Sequence, residues 1–559
     1  MNKNKYILSF LGVILLLSTV ACKKELNVGN PNLPTVSGNI NTESGLISLA
    51  IGAVYVNGFK NGDDWLGDSY FSLPYGYSEL LGDVVGAQAS NQLISTISIP
   101  NYYILDNNSK VPSSISNIAQ LRANNTRAQT GAGYNPVYYQ WLNMYALNGA
   151  CNTVLSLVDN ITFSGDATTR SNTVKAWCYW WKGYAYASIG SMYYSGLIVN
   201  EAGVSSNKYL VKDSIIAESN KYFNMAASLL GSGITSTTDY TTVLGELIPA
   251  YCQVGNGGVL TTDMWIRNIN TMLARNILVN KLAPFVNGNP AATITTSSTT
   301  AMTTADWTSV LTLVTSGIKK GDYVFTGRSA GANDFMSASG GTVAAMTTGV
   351  NTSATFRISE RFMQNFKSGD KRIKNNFDTA TKYLDDISFG TRYSMIDGGN
   401  DSSGVYMYGS TTAAVYELFI AGSYEENALM LAEANIRLGN TDAGLAYVDA
   451  VRTYLGAGVA TVTGTGLTEA AALTELVKER RVALAFRGLS FYDSRRWGWT
   501  YDISNGGGSY GNKFLTSAGV LNTNVTINYN FMDYWDVPAD ETELNPAASG
   551  SAATQNPNF

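Results

Sequence analysis

Two stretches late in the chain constrain its fold more than any other feature. Residues 424–438 and 441–455 each place apolar side chains three and four apart, and only Gly439 and Asn440 separate them. Ala428, Leu431, Ala432, Ala434 and Leu438 line the first stretch; Leu445, Val448, Val451 and Leu455 line the second. That spacing gives each segment one apolar helical face, and so short a turn makes the two helices antiparallel neighbours. The small alanines let the helix axes come close. Ser423 is placed to cap the first helix, and Thr441 or Asp442 the second. The unit reads as a tetratricopeptide-like hairpin.

The same period recurs upstream. Leu46, Leu49, Ala50, Ala53 and Val54 share a face behind Thr42. Trp141, Leu142, Tyr145, Ala146 and Gly149 open a second helix that continues through Val154 and Leu157. Val174, Trp177, Trp181, Tyr184, Ala185 and Ser188 mark a third. Asp213 is placed to cap a fourth, carrying Tyr222, Ala226 and Leu229, and a fifth spans roughly 264–282. No strict period of about 34 residues links the pairs. The expected fold is therefore mainly α: an irregular α-helical scaffold with tetratricopeptide-like helix pairs and long loop insertions. The insertions are 288–306, 329–355 and 502–513, rich in Gly, Ala, Ser, Thr and Asn. Such stretches are expected to stay out of the core and, on a rigid scaffold, to be where a ligand is held.

Residues 1–21 begin with Asn2, Lys3, Asn4 and Lys5, run apolar from Tyr6 to Leu17, and end in Ser18-Thr19-Val20-Ala21. A short apolar run behind a basic start is an export signal, too short to span a bilayer afterwards. Small residues directly before Cys22 resemble a bacterial lipobox, which implies a signal peptide over 1–21 and a lipid on Cys22. No later segment approaches about 18 uninterrupted apolar residues, so that lipid is expected to be the sole anchor. Residues 22–41 then form a lipidated tether and 42–559 a single helical domain. The other cysteines, Cys151, Cys178 and Cys252, are odd in number and none lies in a CxxC motif. Each reads as a buried apolar thiol.

Charge argues against nucleic acid as a partner. The chain has 37 basic and 42 acidic residues, a net charge of −5, and no basic stripe. The short runs Lys478–Arg481 and Arg495–Arg496 sit among apolar residues and read as structural. There is no histidine at all. That removes Ser–His and Cys–His nucleophile pairs, imidazole bases and His metal sites together. No metal or cofactor is expected. The one common hydrolase design left is a paired-carboxylate glycosidase, for which Asp63, Asp64 and Glu79 are the candidates.

The C-terminal third resembles the SusD/RagB family. The residues that carry this are Glu479-Arg480-Arg481, Ala485-Phe486 and Gly488, then Phe491-Tyr492-Asp493 and Arg495-Arg496-Trp497-Gly498. Upstream, Tyr424-Glu425-Glu426 and Leu431-Ala432-Glu433-Ala434-Asn435 are similar to a family helix; downstream, Val537-Pro538, Glu543, Asn545-Pro546 and Gln555-Asn556-Pro557 are similar to its closing segment. Ala53–Tyr55, Glu79-Leu80 and Asp83 fall where the family has its first helix and a Ser-Asp element. Ala483, Arg487 and Phe559 depart from the pattern. The resemblance implies a non-enzymatic, surface-exposed outer-membrane lipoprotein that captures a glycan and passes it to a SusC-like TonB-dependent transporter. The same architecture binding a peptide or another nutrient is the alternative, and a surface glycosidase a further one. Helical alternation in Glu479–Arg487 predicts an amphipathic helix, with Arg480 and Arg481 placed to pair with Asp493 or Glu433 and Trp497 and Trp499 plugging the core.

A saccharide site needs aromatic faces beside polar side chains, because sugars present C–H faces ringed by hydroxyls. The ligand loops are expected within 60–135 and 288–410. Three clusters qualify: Trp65–Tyr70–Phe71–Tyr75–Tyr77; Tyr102–Tyr103 beside Asn101 and Asp106; and Trp307 with Tyr323–Phe325. From these, Trp65, Tyr70, Tyr102, Tyr103 and Trp307 are the candidate ligand-binding residues. Each cluster reads more readily as core that anchors a loop.

Overall fold

The computed structural model describes residues 41–56, 70–87, 97, 99–112, 137–283, 294–295, 297–298, 300–328, 341–349, 354–379, 382–384, 390–530 and 533–557. Cys22, Trp65, Asp63 and Asp64, with the signal segment and tether, lie outside them. In chain order the first elements are α1 (Glu43–Ile51), α2 (Leu73–Leu81), β1 (Val85–Ala87), β2 (Tyr102–Ile104), β3 (Lys110–Pro112), α3 (Tyr138–Leu157) and α4 (Ala167–Met192). There follow β4 (Ser195–Leu197), β5 (Tyr209–Val211), α5 (Lys212–Ser232), α6 (Thr237–Leu247), α7 (Thr262–Leu278), α8 (Thr304–Thr315), β6 (Phe325–Gly327), α9 (Val343–Thr347) and β7 (Phe356–Ile358). The remainder are α10 (Glu360–Met363), α11 (Lys371–Asn376), β8 (Phe377–Asp378), β9 (Ser394–Met395), β10 (Leu418–Ala421), α12 (Tyr424–Arg437), α13 (Thr441–Tyr454), α14 (Glu469–Ala483), α15 (Ser490–Arg496), β11 (Ser509–Leu515), β12 (Leu521–Asn528) and α16 (Ala539–Leu544).

Helix α4 is the axle of the N-terminal half. Trp177, Trp180 and Trp181 on it are fully buried, and α3, α5, α6 and α7 pack around it. The close approach of α5 depends on Gly183, where a Cβ would lie 2.7 Å from the Phe223 ring. Asp166 caps α4 by accepting from the Thr169 N–H. As the periodicity predicts, Thr42 caps α1 and Ser423 caps α12. Asp213 does not cap α5; it lies inside the first turn of a helix that starts at Lys212. No side chain caps α13, which begins at Thr441 after Asn440.

The tetratricopeptide-like hairpin is α12–α13, with α14 packed against both. Gly444 is the tight point: a Cβ there would meet Ile436 at 2.5 Å and the Ala432 carbonyl oxygen at 2.6 Å. Strands are few and short. The largest sheet, antiparallel in the order β11-β12-β2-β3, ties an early segment of the chain to a late hairpin. The fold is mainly α, as the periodicity indicated.

Two of the expected loops do enter the core. Residues 343–347 form α9, with Val343, Ala344, Ala345 and Met346 all buried. Small residues fit there because the chain passes close to α2, where a Cβ on Gly76 would strike Val343 at 2.3 Å. Within 502–513, Ser509 begins β11, and Ser509 and Asn512 are buried because Asn512 spends its amide on Ser509 Oγ and the Val525 carbonyl. Composition hid both elements. A third departure concerns α14. Instead of an amphipathic helix running to Arg487, it ends at Ala483, and Glu479, Arg480, Arg481, Val482 and Ala483 are all buried. Its charges are satisfied inside the protein.

Candidate functional site

A cleft of about 780 Å³ opens between one face of α14 and the β11–β12 hairpin, and it is the best-built candidate site among the described residues. The α14 side is a stripe at helical spacing: Ala470, Leu473 and Thr474, Val477 and Lys478, then Arg481. Gln364 and Asn365, just after α10, form one end. Ser509, Tyr510, Gly511 and Asn512 of β11 stand opposite, and Trp499 and Arg437 complete the wall.

The floor is a buried ion network around Asp83. Arg361 donates to both Asp83 carboxylate oxygens at 2.7 Å, in the planar fork geometry that suits a guanidinium and a carboxylate. The Tyr529 hydroxyl donates to Asp83 Oδ2. Arg481 donates to the Gly82 carbonyl oxygen at 3.0 Å and the Asp83 carbonyl oxygen at 3.2 Å. Burial lowers the affinity of Arg361 for its proton, but Asp83 outweighs it and holds the guanidinium above its ordinary value. For Arg481 burial prevails and the shift is downward, because its hydrogen-bond partners are neutral carbonyls. Asp83 has φ +56°, a left-handed conformation that a carboxylate-bearing residue tolerates better than most.

Above this floor the surfaces are aromatic and amide. Trp499 is half-buried, with the Arg481 guanidinium 4.9 Å from its ring centroid and the Trp497 ring 5.3 Å away. Tyr510 is half-buried and its hydroxyl donates to the Gly507 carbonyl oxygen at 3.2 Å. The Lys513 N–H donates to Gln364 Oε1 at 2.7 Å, which fixes that amide beside the strand. Preset rings, amides and charged groups in a concave site are what orients a polar ligand.

The candidate ligand residues fall in different places. Trp307 is 3% exposed and packs in the core beneath α12, so its ring has no free face. Tyr103 is buried with its ring 4.3 Å from Phe514. Tyr70 is buried in an aromatic cluster with Phe71 and Tyr75, at an internal cavity of about 50 Å³. The anchoring role explains these three. Tyr102 keeps a half-buried ring on β2, with Lys110 Nζ 3.8 Å over it. Burial, then Asp502 and Tyr510, raises the Tyr102 hydroxyl above its usual value, and Tyr102 is not among the residues that line the cleft. Trp499 and Tyr510 escaped sequence reasoning, the first as a core plug and the second inside a Gly-rich stretch. Glu79, a carboxylate candidate for hydrolysis, is fully buried and accepts from Ser490 Oγ at 2.6 Å.

Residues 331–559 match the SusD family model. Among curated proteins, none matches the sequence. Solved structures share the fold. A SusD-like carbohydrate-binding protein from Bacteroides fragilis is 15% identical with a TM-score of 0.56, over 90% of this chain and 98% of that one. A SusD superfamily protein from Bacteroides vulgatus is 14% identical with a TM-score of 0.53, over 92% and 98%. Surface glycan-binding protein A from Bacteroides thetaiotaomicron, solved in complex with laminarihexaose, is 14% identical with a TM-score of 0.51, over 92% and 99%. The C-terminal part of the chain, residues 331–559, is thus similar in sequence to the SusD family, and the described chain shares its helical fold with solved SusD-like proteins.

Proposed function

We propose that the protein captures a saccharide at the outer face of the outer membrane, held there by a lipid on Cys22, and passes it to a SusC-like TonB-dependent transporter. The observation that carries this reading is the make-up of the cleft: half-buried Trp499 and Tyr510 beside the amides of Gln364, Asn365 and Asn512. Rings stack on the C–H faces of sugars while amides and guanidinium groups bond the hydroxyls. The shared fold with a protein that holds laminarihexaose supports it. Tyr102 and Trp65 are further stacking candidates.

Each ring contributes on the order of 1 kcal/mol, by analogy with other aromatic contacts. With ordering costs deducted, a few such contacts give micromolar to millimolar dissociation constants. Weak capture suits a protein that must release its cargo. No reaction is assigned to the cleft. Calorimetry on the full-length protein in detergent, against a panel of oligosaccharides and peptides, tests the reading. Trp499→Ala and Tyr510→Ala should each weaken saccharide binding about fivefold with little loss of thermal stability. Unchanged saccharide affinity in both variants, peptide binding alone, or release of new reducing ends would count against it.

A further inference from the structure

Four cations line the cleft, and two of them have work elsewhere. Arg361 is paired with Asp83, and Arg481 is bonded to the Gly82 and Asp83 carbonyls. Arg437 and Lys478 have no hydrogen-bond or ion-pair partner among the described residues. Arg437 Nε and Nη2 are buried and unsatisfied. The carboxylate that would naturally serve Arg437 is Glu433, one helical turn back, but both its oxygens are taken by Arg496 at 2.8 and 2.7 Å. Glu433, and more weakly Glu469 at the exposed start of α14, act on Arg437 only through space, and burial still outweighs them. The indole ring of Trp307 lies 5.7 Å behind the guanidinium and props it in place.

A cation in the last turn of α12 has an ordinary explanation, since it complements the helix dipole. That explanation requires no burial, and Arg437 bonds none of the terminal carbonyls. Lys478 alone would be a solvated amine. Together, on one cleft whose two acids are an engaged Asp83 and an exposed Glu469, they leave an uncompensated positive field. From this we infer that the cleft takes an acidic saccharide, one whose carboxylate or sulphate group is held by Arg437 and Lys478. The inference rests on the cleft being the capture site proposed above. Trp499 and Tyr510 favour a saccharide over an acidic peptide, because peptides lack the stacked C–H faces those rings fit.

The test uses probes matched in backbone and differing in charge: hexagalacturonate against its methyl ester, and laminarihexaose before and after chemical sulphation. Full-length protein in detergent is titrated with each. At least one charged probe should bind about tenfold more tightly than its neutral counterpart, and about 0.5 M NaCl should erase the difference. Which pair shows it identifies carboxylate or sulphate as the source. Arg437→Gln and Lys478→Gln should each remove most of that preference, weakening the charged probe far more than its neutral counterpart. If R437Q does not fold, K478Q alone decides, with its melting curve as control. Neutral probes binding as well as charged ones would overturn the inference and leave saccharide capture standing. Binding of an oligoglutamate peptide with no saccharide binding would overturn both.

Discussion

Arg496 and Glu433 meet as a doubly bonded planar pair, Nη1 2.8 Å from Oε1 and Nη2 2.7 Å from Oε2, with both side chains 1% exposed. Arg496 Nε also donates to Asp493 at 2.7 Å, and Asp493 in turn accepts from Arg480 at 2.9 and 2.7 Å. The network locks α15 onto α12 and α14. Burial raises the Glu433 carboxyl, Arg496 more than offsets it, and the result lies below the ordinary carboxylate value. Its stabilisation is therefore present above the unfolded carboxylate range and lost as pH falls through the folded value.

Breaking this pair one side at a time leaves a buried charge alone. Glu433→Leu should cost about 3–5 kcal/mol, while Glu433→Leu with Arg496→Met should cost less than that single change. Urea denaturation midpoints give the comparison. A double variant worse than the sum of the singles would mean the pair does not act as a unit.

Phe486 closes α14 in an unusual way. It has φ +62° and is 3% exposed, with its ring 6.4 Å from that of Tyr408. A left-handed conformation costs an L-residue about 1–2 kcal/mol, so the ring's burial must hold it there. Phe486→Ala should destabilise by about 3–5 kcal/mol without altering the ligand affinity of the folded fraction. Phe486→Gly should be the more stable of the two, the reverse of the usual order, because glycine enters φ > 0 freely. Thermal melts of the two variants settle the order.

What the sequence made legible was local. The α12–α13 hairpin, the Ser423 and Thr42 caps and the Arg480–Asp493 pairing all follow from spacings of a few residues. The all-round burial of the end of α14, Glu479–Ala483, was hidden, since Glu479 is neutralised by Arg372 and Arg452 from distant segments. The cleft was hidden for the same reason. Its floor joins Asp83 to Arg361, Arg481 and Tyr529, and its stacking surfaces come from a Trp beside a turn and a Tyr in a glycine-rich strand. Aromatic density pointed instead at Tyr70, Tyr103 and Trp307, which the core absorbs.

Glu79 should make stability depend on pH in the opposite sense to Glu433. Its carboxyl is fully buried, with the Ser490 hydroxyl 2.6 Å and the Gly488 N–H 3.3 Å away, and burial pushes it up from 4.5 to about 7. Below about 4.5 it is protonated folded or unfolded, and the fold has its full contribution. As pH rises toward 7 only the unfolded chain ionises, so stability falls by on the order of 3 kcal/mol and then levels off. Glu79→Gln should flatten the denaturation profile over that window and leave the acid limb below it unchanged. An unaltered slope in the variant would assign the dependence to another group.

The lipid anchor proposed for Cys22 can be separated from everything the folded domain does. Acyl chains contribute about 0.8 kcal/mol per buried CH₂, so two or more of them hold a protein against washing, whereas a folded domain without them has no comparable grip. No helix among the described residues is long and apolar enough to cross a membrane. Cys22→Ala removes the acceptor proposed for that lipid and changes no residue of the cleft or of the described core. Carbonate-washed membranes from cells making the variant should be depleted of the protein, which should appear in the soluble exported fraction or as an unprocessed form. The same variant, purified without detergent, should bind oligosaccharides as the lipidated protein does. Retention of Cys22→Ala on washed membranes would place the anchor elsewhere in the chain, while loss of saccharide binding on release would tie the cleft to the membrane-bound state.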